Sequence, residues 1–220
     1  MGEIIAIWTL ADIGYYLVPP ILGYAISYNA SPGIIAAYFG FWAILCIWHF
    51  SSIYGSKLVP SLRIRYRILL GTSAIAVAVF LVWTYSFLPN LAGPILAPYT
   101  DILLATPWYF LPKALEILVQ QLLVAALIIQ MYEQFGTLKK VFAGYVICFV
   151  GAHLLQFAAS GTPLPYAATM TAGAFISAFI FPYLILKVRG GFAYTYLIHF
   201  LFYLLIALIL HAFPPPGYIA

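Results

Sequence analysis

Apolar runs of about twenty residues, the length a helix needs to cross hydrocarbon, follow one another along almost the whole of this 220-residue chain. Only 6% of its residues are charged and 65% are hydrophobic, whereas a water-soluble domain carries roughly 25% charged residues. A soluble fold could not cover its own surface with so few charges. Backbone in lipid must satisfy its own hydrogen bonds, which leaves helices or a closed barrel, and uninterrupted runs of this length select the helix. The sequence therefore predicts an all-α, polytopic transmembrane bundle, a single integral membrane domain over residues 1–220. Seven spans are expected at 4–28, 33–54, 68–88, 108–131, 141–160, 165–186 and 192–213.

The first run is expected to be a spanning helix and not a secretory leader. Glu3 is the only early charge, and the run exceeds the roughly 7–15 apolar residues of a leader. Charge alternates between connections: Lys57, Arg63, Arg65 and Arg67 follow the second span, Lys139 and Lys140 the fourth, and Lys187 and Arg189 the sixth. The intervening connections carry no Lys or Arg. Basic loops favour the cytoplasm, so the N-terminus is expected inside and the C-terminus outside, in the cell's inner membrane. The net charge of +4 belongs to this topology and does not signal nucleic-acid binding.

Proline punctuates the runs. Pro19–Pro20 should kink the first span and Pro182 the sixth. Pro94, Pro98 and Pro107 break the connection 90–107, which is expected to form a flat interfacial helix or a shallow re-entrant turn, with Trp108 and Tyr109 in the aromatic belt. Cys46 and Cys148 fall inside spans, match no metal spacing, and read as small buried hydrophobes.

The chemistry must come from polar side chains buried in the runs. Gln120 and Gln121 stand mid-span in the fourth run, His153 in the fifth and His199 in the seventh. Polar groups at that depth normally face a bundle interior, where they hydrogen-bond neighbouring helices or line a site. Glu116 lies one turn before Gln120, and Lys113, three residues earlier, is spaced to pair with it. Gln156 follows His153 and Tyr203 follows His199 by about a turn. His49 and His211 lie nearer span ends, and Asp12 is the isolated carboxylate of the first span.

The order of these elements resembles the CPBP (CAAX protease and bacteriocin-processing, or Abi) family of intramembrane metalloproteases, over about residues 111–210. Phe149-Val150-Gly151-Ala152-His153 is similar to the family's Phe-x-x-x-His motif, and His199-Phe200-Leu201-Phe202-Tyr203 to its last motif, with Tyr203 where Asn is usual. The family's Glu-Glu-x-x-x-Arg motif falls on Gln120, Gln121 and Ala125. The resemblance implies a site in which the first glutamate activates water while the histidines position it. A glutamine has no useful basicity, so the general base of that mechanism is missing. Two histidines and two amides are also a poor ligand set for zinc, and no metal is expected.

Three readings follow. The chain is a non-proteolytic, membrane-embedded binding or scaffold subunit that keeps the family's frame, with the lipid bilayer and a membrane-protein partner around it. It is a divergent intramembrane protease that uses Glu116, His153 and His199. Or it is a pigment-binding subunit in which His153 and His199 ligate a haem or chlorophyll-type macrocycle. A transporter or channel would need a polar pathway, which Asp12, Glu116, Gln120 and the histidines could line.

Overall fold

The computed structural model describes residues 1–24, 26–57, 83–91, 98–160 and 164–214. It is helical, with no strand among the described residues. Among the described residues six helices are long and apolar enough to cross a membrane: Gly2–Ile21, Pro32–His49, Pro107–Phe135, Leu138–Ala158, Leu164–Lys187 and Gly191–Ala212. Their length and composition are those of a helical membrane protein. Most of the expected span 68–88, with Arg63, Arg65 and Arg67, lies outside the described residues.

The first expected span ends early, for a reason local to its prolines. Helix α1 (Gly2–Tyr16) gives way at Leu17 to a four-residue helix, α2 (Val18–Ile21). Pro19 and Pro20 sit in the first turn of α2, where a missing N–H removes no helical bond. The prolines thus coincide with the interruption expected of them in the Gly2–Ile21 span. Gly23 then takes a positive φ of 77°, a conformation that costs glycine little, and the chain leaves the helix. Tyr28, expected inside the span, lies in a turn in which Ser27 Oγ accepts the Ala30 N–H at 3.0 Å.

The second expected span also divides, into α3 (Pro32–His49) and α4 (Ser51–Lys57). The connection 90–107 contains a short helix, α5 (Pro98–Leu103), and runs into a single 3-10 turn at Pro107–Tyr109. From there α6 (Phe110–Phe135) is the longest of the described helices. Fully 72% of its apolar stretch is buried, against 17–33% in the other five candidate spans, and Lys113, Glu116 and Gln121 are buried with it.

The span Leu138–Ala158 is built from α7 (Leu138–Tyr145), one π turn (Val146–Val150) and α8 (Gly151–Ser160). Helices α9 (Leu164–Lys187) and α10 (Gly191–Ala212) follow, and α9 runs unbroken past Pro182. These last four spans begin and end within a few residues of their predicted bounds.

The chain divides into two compact units. The first comprises Met1–Leu10, Leu45–Pro60 and Gln120–Tyr196, and the second Ala11–Ile44, Ser61–Val119 and Leu197–Ala220. In the first unit α9 packs along α7, the π turn and α8. Its N-terminal ammonium donates to Gln130 Oε1 at 2.5 Å, and Trp8 lies 6.2 Å from the Phe149 ring. In the second unit Tyr38 donates its hydroxyl to the Ala11 carbonyl at 2.7 Å, in the space that the absent Cβ of Gly14 leaves open.

The turn between α9 and α10 depends on two glycines. Gly190 has φ 72°, and a Cβ on Gly191 would land on the backbone carbonyl of Leu184. Backbone cannot swing aside as a side-chain tip can. Gly191→Ala should therefore destabilise the protein by about 1–3 kcal/mol, the usual cost of overpacking, measured by thermal unfolding in detergent. Gly33→Ala, where nothing lies within 4 Å of the added carbon, should leave the midpoint unchanged.

Candidate functional site

Among the described residues of the second unit is a buried lysine enclosed by one carboxylate and three tyrosines. It starts at the amino end of α6. Thr106 sits in extended backbone before the 3-10 turn, so Lys113 and Glu116 fall within the first two helical turns. A lysine opposes the helix dipole there and a glutamate complements it, so their pairing relieves the less favourable partner. Lys113 Nζ donates to Glu116 Oε2 at 2.5 Å. Both are buried, at 6% and 4% exposure.

The same oxygen accepts the Tyr28 hydroxyl at 2.7 Å. Lys113 Nζ stands 4.8 Å from the centre of the Tyr28 ring, 5.8 Å from that of Tyr109 and 4.4 Å from that of Tyr203. Each ring face attracts the ammonium by about 0.5–2 kcal/mol, more when water is excluded. Tyr109, expected in the interfacial belt, is instead buried at 2% exposure while its neighbour Trp108 is 68% exposed. The 3-10 turn separates them: it turns one ring inward to the lysine and leaves the other out.

Tyr28 also ties the cage to the connection after α5. Its backbone N–H donates to Asp101 Oδ2 at 3.1 Å. The Asn29 amide donates to the Asp101 carbonyl at 3.0 Å and to Oδ1 at 3.3 Å, and Asn29 Oδ1 accepts the Thr106 N–H at 2.9 Å. The turn after α2 is thus clamped to 101–106 through two polar side chains. Burial pushes the Asp101 carboxyl above the ordinary aspartate value, against the opposing pull of Tyr28 N–H, Asn29, Ser27 and the Lys113 charge.

The predicted constellation falls in both units. Glu116, His199, Tyr203 and Asp12 belong to the second. There the His199 ring stacks on Tyr203 with centroids 5.5 Å apart and planes at 28°, so His199, Tyr203, Lys113 and Glu116 form one connected series. Asp12, half-buried on α1, lies in the electrostatic field of Glu116. His211 is buried in the last turn of α10; its Nδ1 donates to the Ala207 carbonyl at 3.0 Å, and its ring meets the Tyr85 hydroxyl. That hydroxyl also donates to the Ala105 carbonyl.

Gln120, Gln121, Ala125, Phe149 and His153 belong to the first unit. Gln121 and Ala125 are fully buried, Gln120 partly so and Gln156 exposed. His153 is half-buried, and its Nδ1 donates to the Phe149 carbonyl at 2.8 Å. The Phe-x-x-x-His spacing is thereby a local contact across one turn. His49 is exposed, with Nε2 3.5 Å from the Glu3 carboxylate. Cys46 is buried, Cys148 is exposed, and both are free thiols.

Sequence reasoning found the Lys113–Glu116 pair from its spacing but missed Tyr28, Asn29, Asp101 and Tyr109. One signal was available: Asp101 is the only charged residue in the connection 90–107. Among the described residues no group of three or more His, Cys, Asp or Glu is placed to hold a metal ion. Compared with protein-family models, curated proteins and solved structures, the chain gives no match.

Removing one partner of a buried ion pair strands the other. Lys113→Met should destabilise the protein by about 3–5 kcal/mol, and adding Glu116→Met should recover at least about half of that loss, read by unfolding in mixed micelles. A double variant as unstable as the single one would assign the loss to packing. For Asp101 the folded pKa lies above the unfolded one, so its contribution is full below the ordinary aspartate value and is lost as pH rises through the folded value. The stability of wild type relative to Asp101→Asn should accordingly fall as pH is raised from about 4 toward 7.

Proposed function

We propose that this chain is a non-proteolytic, membrane-embedded binding or scaffold subunit, a degenerate relative of the CPBP intramembrane proteases. In this reading the bundle has seven spans with a cytoplasmic N-terminus, in the cell's inner membrane, and works beside a membrane-protein partner. The observation that carries it is the state of Glu116. With Gln120 and Gln121 at the motif positions, Glu116 is the one carboxylate near them on α6 that could serve as base. Its Oε2 already accepts hydrogen bonds from the Lys113 ammonium and the Tyr28 hydroxyl.

A general base must present a lone pair to water and then keep the proton. For Glu116 to do so, Lys113 would lose its counter-charge inside the bundle, at a cost comparable to breaking a buried pair. The tyrosine that replaces the family's usual asparagine, Tyr203, covers Lys113 with its ring. That substitution serves the cage. Both departures point to a polar interior used for structure and binding.

The purified protein, reconstituted in lipid, should leave prenylated CAAX peptides and model transmembrane substrates uncut under conditions in which an active CPBP protease cleaves them. Cleavage that disappears in Glu116→Gln would overturn the proposal in favour of a protease built on Glu116, His153 and His199.

A further inference from the structure

The first unit gathers cationic side chains at the end of the bundle where α6 stops, α7 starts and α9 stops. Over residues 128–145 and 180–190 the chain carries Lys139, Lys140, Lys187 and Arg189 against a single acid, Glu133. Basic residues at span ends are common on the cytoplasmic side, so their number alone marks nothing. Lys187 differs in being held. Its Nζ donates to the Tyr132 hydroxyl of α6 at 3.3 Å and stands 5.1 Å from the centre of that ring. The Tyr132 oxygen accepts from the ammonium, so its own hydrogen remains to be donated, as do two of the three ammonium hydrogens. An anion meets there a charge and a neutral donor fixed side by side.

Both groups are open to a ligand: Lys187 is exposed and Tyr132 partly so. A second lysine comes from α7, which packs on α9 with the Phe142 and Phe179 rings 6.0 Å apart. Lys139, also exposed, lies one turn before Phe142, and Lys187 two turns after Phe179. The two helices run in opposite directions, so both lysines stand at the same end of that contact. An apolar stripe continues from Lys187 along α9. Tyr183, Ile180 and Ile176 precede it by about one, two and three turns, on the same helical face, and are 51%, 37% and 58% exposed. Ala178, Phe181 and Ile185, on the other side of the helix, are buried.

A cationic head above a strip of exposed hydrocarbon, on one face of a spanning helix, matches the two halves of a phospholipid. Basic pockets between membrane helices hold acidic headgroups by this complementarity. We infer that Lys187 and Tyr132, with Lys139, bind the headgroup phosphate of an acidic phospholipid whose acyl chain lies along Tyr183, Ile180 and Ile176. A zwitterionic lipid presents the same phosphate with a cation beside it, which the lysines repel. Glu133, next to Tyr132, opposes the anion, and the four cations of this end outweigh it. Only hydrogen bonds and ionic contacts form, and no covalent bond changes.

Lipid binding at this end is separate from the polar interior around Glu116 and from any cleavage of peptides, so it holds or fails independently of the reading above. The purified protein in neutral detergent is titrated with phosphatidylglycerol and with phosphatidylcholine of the same acyl chains, and bound lipid is counted by native mass spectrometry. One phosphatidylglycerol should be retained, at least about tenfold tighter than phosphatidylcholine, since each nearby basic residue contributes about fivefold. Lys187→Gln should remove most of that preference. Tyr132→Phe, which keeps the ring and every charge, should weaken phosphatidylglycerol binding about threefold or more. Binding unmoved by Tyr132→Phe would overturn the inference, leaving only the general attraction of a basic surface. Displacement of the lipid by millimolar glycerol phosphate would overturn it in favour of a soluble anion. Equal retention of the two lipids would sink it as well, and that comparison needs only the wild-type protein, whatever the folding of the variants.

Discussion

An ammonium group enclosed in a membrane protein is tolerated only when its charge is answered on the spot, and the Lys113–Glu116 pair supplies that answer. Both ions are buried, at 6% and 4% exposure, and taking each out of water costs several kcal/mol. The 2.5 Å contact repays part of that cost, and the three tyrosine faces add to it. Lys113 stands at the head of α6, of the described candidate spans the one with the largest buried share. If the pair were mismatched, the penalty would fall on the element least able to expose it to solvent.

The surrounding architecture of the second unit follows from serving this pair. Glu116 needs a second donor, and Tyr28 reaches it from a turn that exists because Pro19–Pro20 and Gly23 ended the first helix early. That turn must be held in place, and Asp101 and Asn29 hold it through backbone and side-chain bonds. A tyrosine at position 203 is then useful for its ring. Histidine at 199 stacks on that ring, which gives it a packing role apart from any chemistry at its nitrogens.

The sequence disclosed what depends on local periodicity and hid what depends on approach between distant segments. The spans ending in α6 through α10 were legible because apolar length is a property of each run. The i,i+3 spacing of Lys113 and Glu116 was legible for the same reason. Tyr28 and Asp101, 73 residues apart, were not, since no periodic pattern records that two turns meet. Pro19–Pro20 were legible as an interruption of the first span, and the helix does break at Leu17 just before them, because a proline lacks the N–H that would continue the preceding turn. Tyr109 was misplaced because aromatic residues near a span end suit an interface and a cation cage equally well.

The two histidines singled out by their depth illustrate how one sequence signal divides into different physical roles. A Phe-x-x-x-His spacing brings an imidazole over the carbonyl one turn back, and at His153 that contact is realised beside a π turn. The spacing therefore has a backbone reason independent of catalysis, and it would persist in a chain that had lost its acids. The same bond has a chemical consequence, because fixing one nitrogen as donor makes the other an acceptor. At His199 the ring is held by stacking on Tyr203, which leaves its tautomer unspecified by that contact. His211 makes the same bond to the Ala207 carbonyl one turn back, so the contact orients an imidazole within a helix and does not by itself mark a site.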